Sequence, residues 1–470
     1  MLFNSITFFI FFSIFLILYW GFAKKNLKLQ NFMILIASYV FYGWWDWRFL
    51  SLIILSSIID YAAGIKIHNS FDQSGKRRYL FISLLVNLGA LGLFKYFNFF
   101  IESWNESWQM FGIQMSLPVM QIILPVGISF YTFQTLSYTI DIYRKKLQPT
   151  KNIIAFFAFV SFFPQLVAGP IERASHLLPQ FFKKRMINKD VLKKGLKRIL
   201  WGLFKKVVVA DNMALFVDPV FNNPGYYSGL TTLLAVFFFA IQIYCDFSGY
   251  SDIAIGSSRI LGFRLMINFN IPYFSASIKE FWSKWHISLS TWFRDYVYIP
   301  LGGSKVSIGV WQRNLIITFI VSGFWHGANW TFLIWGGIHG LFNSIEALFG
   351  KINLFKKLNF GFIAYIYTFL VVCFGWVFFR ANSFNDAIVV INNILQCDLY
   401  MDRVINPYSF TVIVISFVIL FVFEIVTKND YMMNVYKNHR WLRWMSYYIM
   451  IISIILFGQV SSSEFIYFQF

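Results

Sequence analysis

Three of the six histidines, His286, His326 and His339, stand among aromatic and apolar residues. An ionisable side chain at membrane depth is costly to keep and marks a functional site by default. The alternative for each is a neutral imidazole hydrogen-bonded to a carbonyl between helices. His326 has small residues on both sides, in Ser322-Gly323-Phe324-Trp325-His326-Gly327-Ala328-Asn329-Trp330. Gly323, Gly327 and Ala328 admit close approach of a ligand or a neighbouring helix, and Asn329 can orient a ring or a substrate carbonyl. A neutral imidazole in such a place can take the proton of an attacking hydroxyl and hand it to a leaving group. In residues 280–296, His286, Ser290 and Arg294 fall at i, i+4 and i+8 if the segment is helical. That spacing makes a polar stripe suited to the wall of a water-filled funnel. His339 lies thirteen residues beyond His326, about three and a half helical turns, so one straight helix would not align the two.

Other chemistry finds fewer parts. Asp246 and Asp252, at the end of an apolar run, need partners if buried. Arg294 or Lys284 is expected to supply them, or else Asp252 caps the start of a next helix. His68, His176 and His439 sit among charged loop residues and read as solvated surface. No HExxH, no histidine pair at i and i+4 and no carboxylate cluster suggests a metal. GxSxG, P-loop and GxGxxG signatures are missing too. Cys245, Cys373 and Cys397 are too few and too scattered for a disulfide framework.

The elements that must position these residues are membrane helices. The chain has 470 residues, 58% hydrophobic and 13% charged, which excludes disorder, coiled coil and secreted disulfide scaffolds. Although the net charge is +19, Lys and Arg gather in short connections between apolar stretches, so the charge reports topology rather than nucleic acid. Candidate spans are residues 5–22, 32–45, 50–65, 79–101, 120–142, 230–247, 314–324, 331–348, 362–379, 409–426 and 445–458. Residues 153–168, 199–217 and 253–274 are interrupted and fit re-entrant or interfacial pieces. In the first of these, Pro164 and Gly169-Pro170 are expected to break the helix. Basic connections at Lys24 to Lys28, Lys66 to Arg78, Arg144 to Lys151 and Lys183 to Lys206 alternate with charge-poor or acidic ones. This pattern predicts both termini outside, with residues 461–470 on the outer face. The expectation is an all-α polytopic protein of about ten to eleven transmembrane helices forming one membrane-embedded domain over residues 1–470, with its motif core at about residues 120–345.

Residues 285–296 (Trp285-His286-Ile287-Ser288-Leu289-Ser290-Thr291-Trp292-Phe293-Arg294-Asp295-Tyr296), Pro300-Leu301-Gly302-Gly303 and Trp325-His326-Gly327-Ala328-Asn329 together resemble the signature of the membrane-bound O-acyltransferase (MBOAT) family. Residues 124–130 and 244–252 match its bacterial alginate and peptidoglycan O-acetyltransferase branch. The resemblance runs from the N-terminal segment to the last residues. It implies a ring of helices around a thinned centre where a cytoplasmic funnel meets an outer one. It also implies that His326 is catalytic, assisted by His286, and it assigns no comparable role to His339. The reaction it implies carries acetyl from cytoplasmic acetyl-CoA, a substrate rather than a bound cofactor, to an envelope polysaccharide such as alginate or peptidoglycan. A separate periplasmic transferase on the outer face of the bacterial cytoplasmic membrane is the implied partner, with the lipid bilayer as surroundings and no nucleic acid.

Within this reading Asn329, Ser290 and Arg294 are expected to contact substrate, and the basic loops with Lys205 and Lys206 either attract coenzyme A phosphates or only mark the inner side. The tail Ser463-Glu464-Phe465-Ile466-Tyr467-Phe468-Gln469-Phe470 resembles a C-terminal tyrosine motif of bacterial acyl-transfer systems. Phe465, Phe468 and Phe470 are expected to anchor it, and Tyr467 either relays the acyl group or belongs to an aromatic belt. The competing function is a polysaccharide exporter or channel that uses the same polar stripe without acyl transfer.

Overall fold

The computed structural model describes the chain apart from residues 25, 115, 168, 352–360, 460–464 and 467–470 and the side chains of 350 and 351. Tyr467, Phe468 and Phe470 therefore lie outside the described residues. Helices make up the whole regular structure, with no strand among the described residues. Among the described residues, seven helical runs are long and apolar enough to cross a membrane, by length and composition. The first of them, Leu27–Asn69, is two helices, Leu27–Asp46 and Leu50–Asn69. Between them Asp46 is extended and its carboxylate accepts the Arg48 N–H at 2.9 Å. The shorter apolar helix Ile6–Phe22 and the 19-residue helix Ile308–His326 add to the set. Such all-helical construction answers the bilayer's demand that backbone polar groups be satisfied within each segment.

The chain folds as two compact units, one formed by Met1–Ile199 with Ala254–Met266, the other by Leu200–Ile253 with Ile267–Phe470. In the first unit the span expected at 120–142 begins late, as Ile128–Tyr143. Pro125 offers no N–H and holds its predecessor extended, and the helix opens only after Gly127, whose φ is +76°. A side chain at Gly127 would come within 2.8 Å of the Leu166 carbonyl, so glycine is required there twice over. The interrupted stretch 153–168 breaks at Ser161 and Phe162, between helices Ile153–Val160 and Phe163–Leu166. Pro164 opens the second helix rather than ending one, since the first turn needs no N–H donor.

The expected break near residue 247 does not occur, because Gly229–Ile260 is one 32-residue helix. Asp246 and Asp252 sit within it, not at its end. Neither Arg294 nor Lys284 serves them, for Arg294 pairs with Asp295 and Lys284 with Glu280, each at 2.7 Å. Their partners are Lys206 at 2.5 Å from Asp246 and Lys205 at 2.7 Å from Asp252. Both lysines stand on a π-helical stretch, Phe204–Ala210, that turns them inward. A buried carboxylate this well paired can remain inside an apolar helix.

Helices Ile308–His326 and Trp330–Lys351 pack closely enough that a methyl group at Gly323 would lie 2.2 Å from the Phe332 carbonyl oxygen. Backbone cannot yield as a flexible side chain does. Gly323→Ala is therefore expected to destabilise the protein by about 1–3 kcal/mol, the usual range for overpacking, read as a lower unfolding midpoint in detergent. An unchanged midpoint would show that the two helices can separate without loss.

Candidate active site

His286 owes its position to a break in what the sequence offered as one helix. Ile278–Lys284 ends before it and Ile287–Phe293 begins after it. His286 itself occupies the left-handed region at φ 41° and ψ 52°. For a non-glycine residue this costs about 1–3 kcal/mol and persists only where the surroundings enforce it.

Asn268 does the enforcing. Its backbone carbonyl accepts the Ile287 N–H at 2.9 Å, and its side-chain oxygen accepts the Ser288 N–H at 3.3 Å and the Ser288 hydroxyl at 2.8 Å. The same oxygen lies 3.1 Å from His286 Nδ1. Because Ser288 N–H can only donate, the amide oxygen must face this group, and Nδ1 must carry the ring proton. Nε2 is then the nitrogen with the lone pair, the form a general base requires. An outer residue that fixes the tautomer of a working imidazole is a recurring device.

His326 ends the helix Ile308–His326. Its ring is packed by Trp325, Trp335 and Phe379 at 4.9, 5.0 and 5.5 Å between centroids. Phe332 presses so closely on the next residue that a Cβ at Gly327 would lie 2.0 Å from its ring. The small residues beside His326 thus serve close packing of protein on protein. His286 and His326 are both buried and their rings stand 6.3 Å apart, with Phe247 against His286 at 4.6 Å.

The structure brings those two histidines together and leaves the polar stripe elsewhere. Ser290 and Arg294 line a cavity of about 1320 Å³ with Trp282, Lys279, Glu346 and Ser322. Its wall includes Ile287, next to His286, and Ser322, one turn before His326. Asn329 is engaged in bracing: its oxygen accepts the Thr331 N–H at 3.0 Å and its NH₂ donates to the Asn382 carbonyl at 3.2 Å. His339 accepts a hydrogen bond from the Trp282 indole N–H at 3.3 Å, a neutral interhelical imidazole whose partner is an indole instead of a carbonyl. Lys205 and Lys206 are buried and committed to their aspartates.

At the C-terminus Phe465 is buried against Phe247 and Tyr250 at 5.6 and 4.5 Å, and the Ile466 N–H donates to Asp246 at 2.8 Å. Phe465 therefore anchors the tail in the interior of its unit.

Sequence reasoning missed Asn268. Its only signal is an amide in the apolar run Leu265-Met266-Ile267-Asn268-Phe269, where an unpaired polar group is expensive.

The long apolar helices define a multi-pass membrane protein, and residues 40–385 match the membrane-bound O-acyltransferase family, MBOAT. The chain belongs to that family and is an acyltransferase. It is 44% identical over 389 residues to the probable alginate O-acetylase AlgI of Pseudomonas aeruginosa, covering 82% of this chain and 73% of that protein. It is 33% identical over 496 residues to the peptidoglycan O-acetyltransferase of Helicobacter pylori, covering 95% and 92%. A teichoic acid D-alanyltransferase of Bacillus subtilis is 28% identical over 286 residues, covering 57% and 71%.

Proposed function

We propose that this protein transfers acetyl from cytoplasmic acetyl-CoA across the bacterial cytoplasmic membrane for O-acetylation of an envelope polysaccharide, alginate, peptidoglycan or a similar glycan. The observation that carries the reading is the buried pair His286 and His326, 6.3 Å apart, with Asn268 holding one ring in its base-competent tautomer. Likeness to proteins named for alginate and peptidoglycan O-acetylation supports the acetyl group and the acceptor class.

In the proposed step the imidazole of His326 takes the proton from an acceptor hydroxyl as its oxygen bonds to the thioester carbonyl carbon. The carbon–sulfur bond then breaks, and the proton passes to the departing thiolate. His286, whose Nε2 keeps a lone pair, shares the proton during the transfer, in a site whose exclusion of water strengthens that interaction. The cavity lined by Ser290 and Arg294 also carries Lys279, a cation that can meet phosphate charge. In this reading the charge pattern of the connections puts both termini on the outer side, where a periplasmic transferase would collect the acyl group.

Mass spectrometry of cell-wall and extracellular glycans with and without this gene tests the function. Loss of O-acetyl groups is expected, and unchanged acetylation of every glycan overturns it. Tyr467 is proposed to carry the acyl group between thioester and outer-face transferase, with its hydroxyl as the acceptor in the first step. Tyr467→Phe keeps the ring and removes only that hydroxyl. It should abolish glycan acetylation at normal protein levels, whereas full acetylation would make Tyr467 an interfacial aromatic.

A further inference from the structure

We infer that the C-terminal tail is latched into the second unit by a buried lysine–aspartate triad, and that the latched tail forms the back wall of the histidine site. Lys206 bridges two carboxylates, Asp211 at 2.9 Å and Asp246 at 2.5 Å, all three buried. One cation against two anions leaves an excess negative charge away from water, which further donors must offset. One such donor comes from the tail: the Ile466 N–H reaches the second oxygen of Asp246 at 2.8 Å.

The chain is held again a few residues upstream. Gln459 donates from its backbone to the Val207 carbonyl and from its side chain to Asn212, each at 3.0 Å. Asn212 in turn donates to the Phe457 carbonyl at 2.9 Å. Both anchor points thus belong to residues 206–212 and the facing helix Gly229–Ile260.

What the latch holds in place is a ring. Phe465 is fully buried and lies 5.6 Å from Phe247, whose ring meets His286 edge-on at 4.6 Å. Releasing the tail would remove one of the rings packed on Phe247, and with it part of the support for the wall behind His286. Asp246 is accordingly a positioning residue, acting through Ile466, Phe465 and Phe247. The link to turnover rests on the acyl-transfer reading of the histidine pair, but the latch itself does not.

Two substitutions break the same bond from opposite sides. In Asp246→Asn, Lys206 claims the single amide oxygen and turns the NH₂ toward the Ile466 N–H, donor against donor. The Lys206–Asp211 pair survives, which keeps the buried lysine neutralised. Ile466→Pro removes the N–H and leaves every charge in place.

Docking is read with Ile466→Cys, which retains the backbone donor, in a Cys397→Ser background because Cys397 is the exposed cysteine among the three. Adding Asp246→Asn should raise the rate of labelling by a charged maleimide roughly 10- to 100-fold, the weight of one hydrogen bond to a charged acceptor. An unchanged rate overturns the latch. For turnover, Asp246→Asn and Ile466→Pro should each lower kcat with little change in the KM for acetyl-CoA. The double variant should be no worse than the more impaired single one, since both remove one interaction. Additive losses, or faster labelling with unaltered kcat, overturn the positioning role. If His326→Ala also retains full activity, the acyl-transfer reading has failed, while the labelling result still decides the latch.

Discussion

His326→Ala is expected to abolish acyl transfer while the protein remains inserted and folded. The expected loss is about 10²–10⁴-fold, the contribution of a positioned general acid–base group, which takes a membrane acyl transfer below detection in whole cells. The substitution removes the ring between Trp325, Trp335 and Phe379, so a cavity cost accompanies the chemical one. Two measurements separate them: the unfolding midpoint in detergent, and glycan O-acetylation normalised to the amount of membrane-inserted protein. Near-normal acetylation by a well-expressed variant would remove His326 from the mechanism.

His286→Ala comes next in size, with an expected loss of about 10²–10³-fold, the cost of removing a group that shares the transferred proton. Alanine at position 286 must still adopt the left-handed backbone, and it no longer gives the Asn268 oxygen its Nδ1–H donor. Asn268→Ala should follow the same direction by freeing the tautomer and the turn together, as in sites where the orienting residue matters nearly as much as the base. Should His286→Ala only lower protein levels, with the specific activity of the remaining protein intact, its role is that of a buried core histidine.

How far the sequence reached follows from which interactions are local. Hydropathy along the chain determined the membrane helices, because an apolar run of about 20 residues has one low-cost place to reside. It also isolated His286, His326 and His339, since a titratable group costs much in such surroundings. Small residues around His326 announced close approach, and Gly323 and Gly327 indeed meet Phe332.

What the sequence could not contain is pairing at a distance. Asp246 and Asp252 looked like helix-end residues because their partners, Lys205 and Lys206, lie some 40 positions away, so a 32-residue helix was divided in two. The stripe of His286, Ser290 and Arg294 assumed an unbroken helix. The break at His286 depends on Asn268, eighteen residues earlier, gripping the turn from outside it. Periodicity describes a segment's own preference, whereas a strained left-handed residue exists only when neighbours from elsewhere stabilise it. The two histidines were legible from the sequence. Their 6.3 Å separation, the tautomer of one and the tail packed behind it were decided by the tertiary structure, because buried charge and backbone strain are settled by whichever distant group the fold brings into reach.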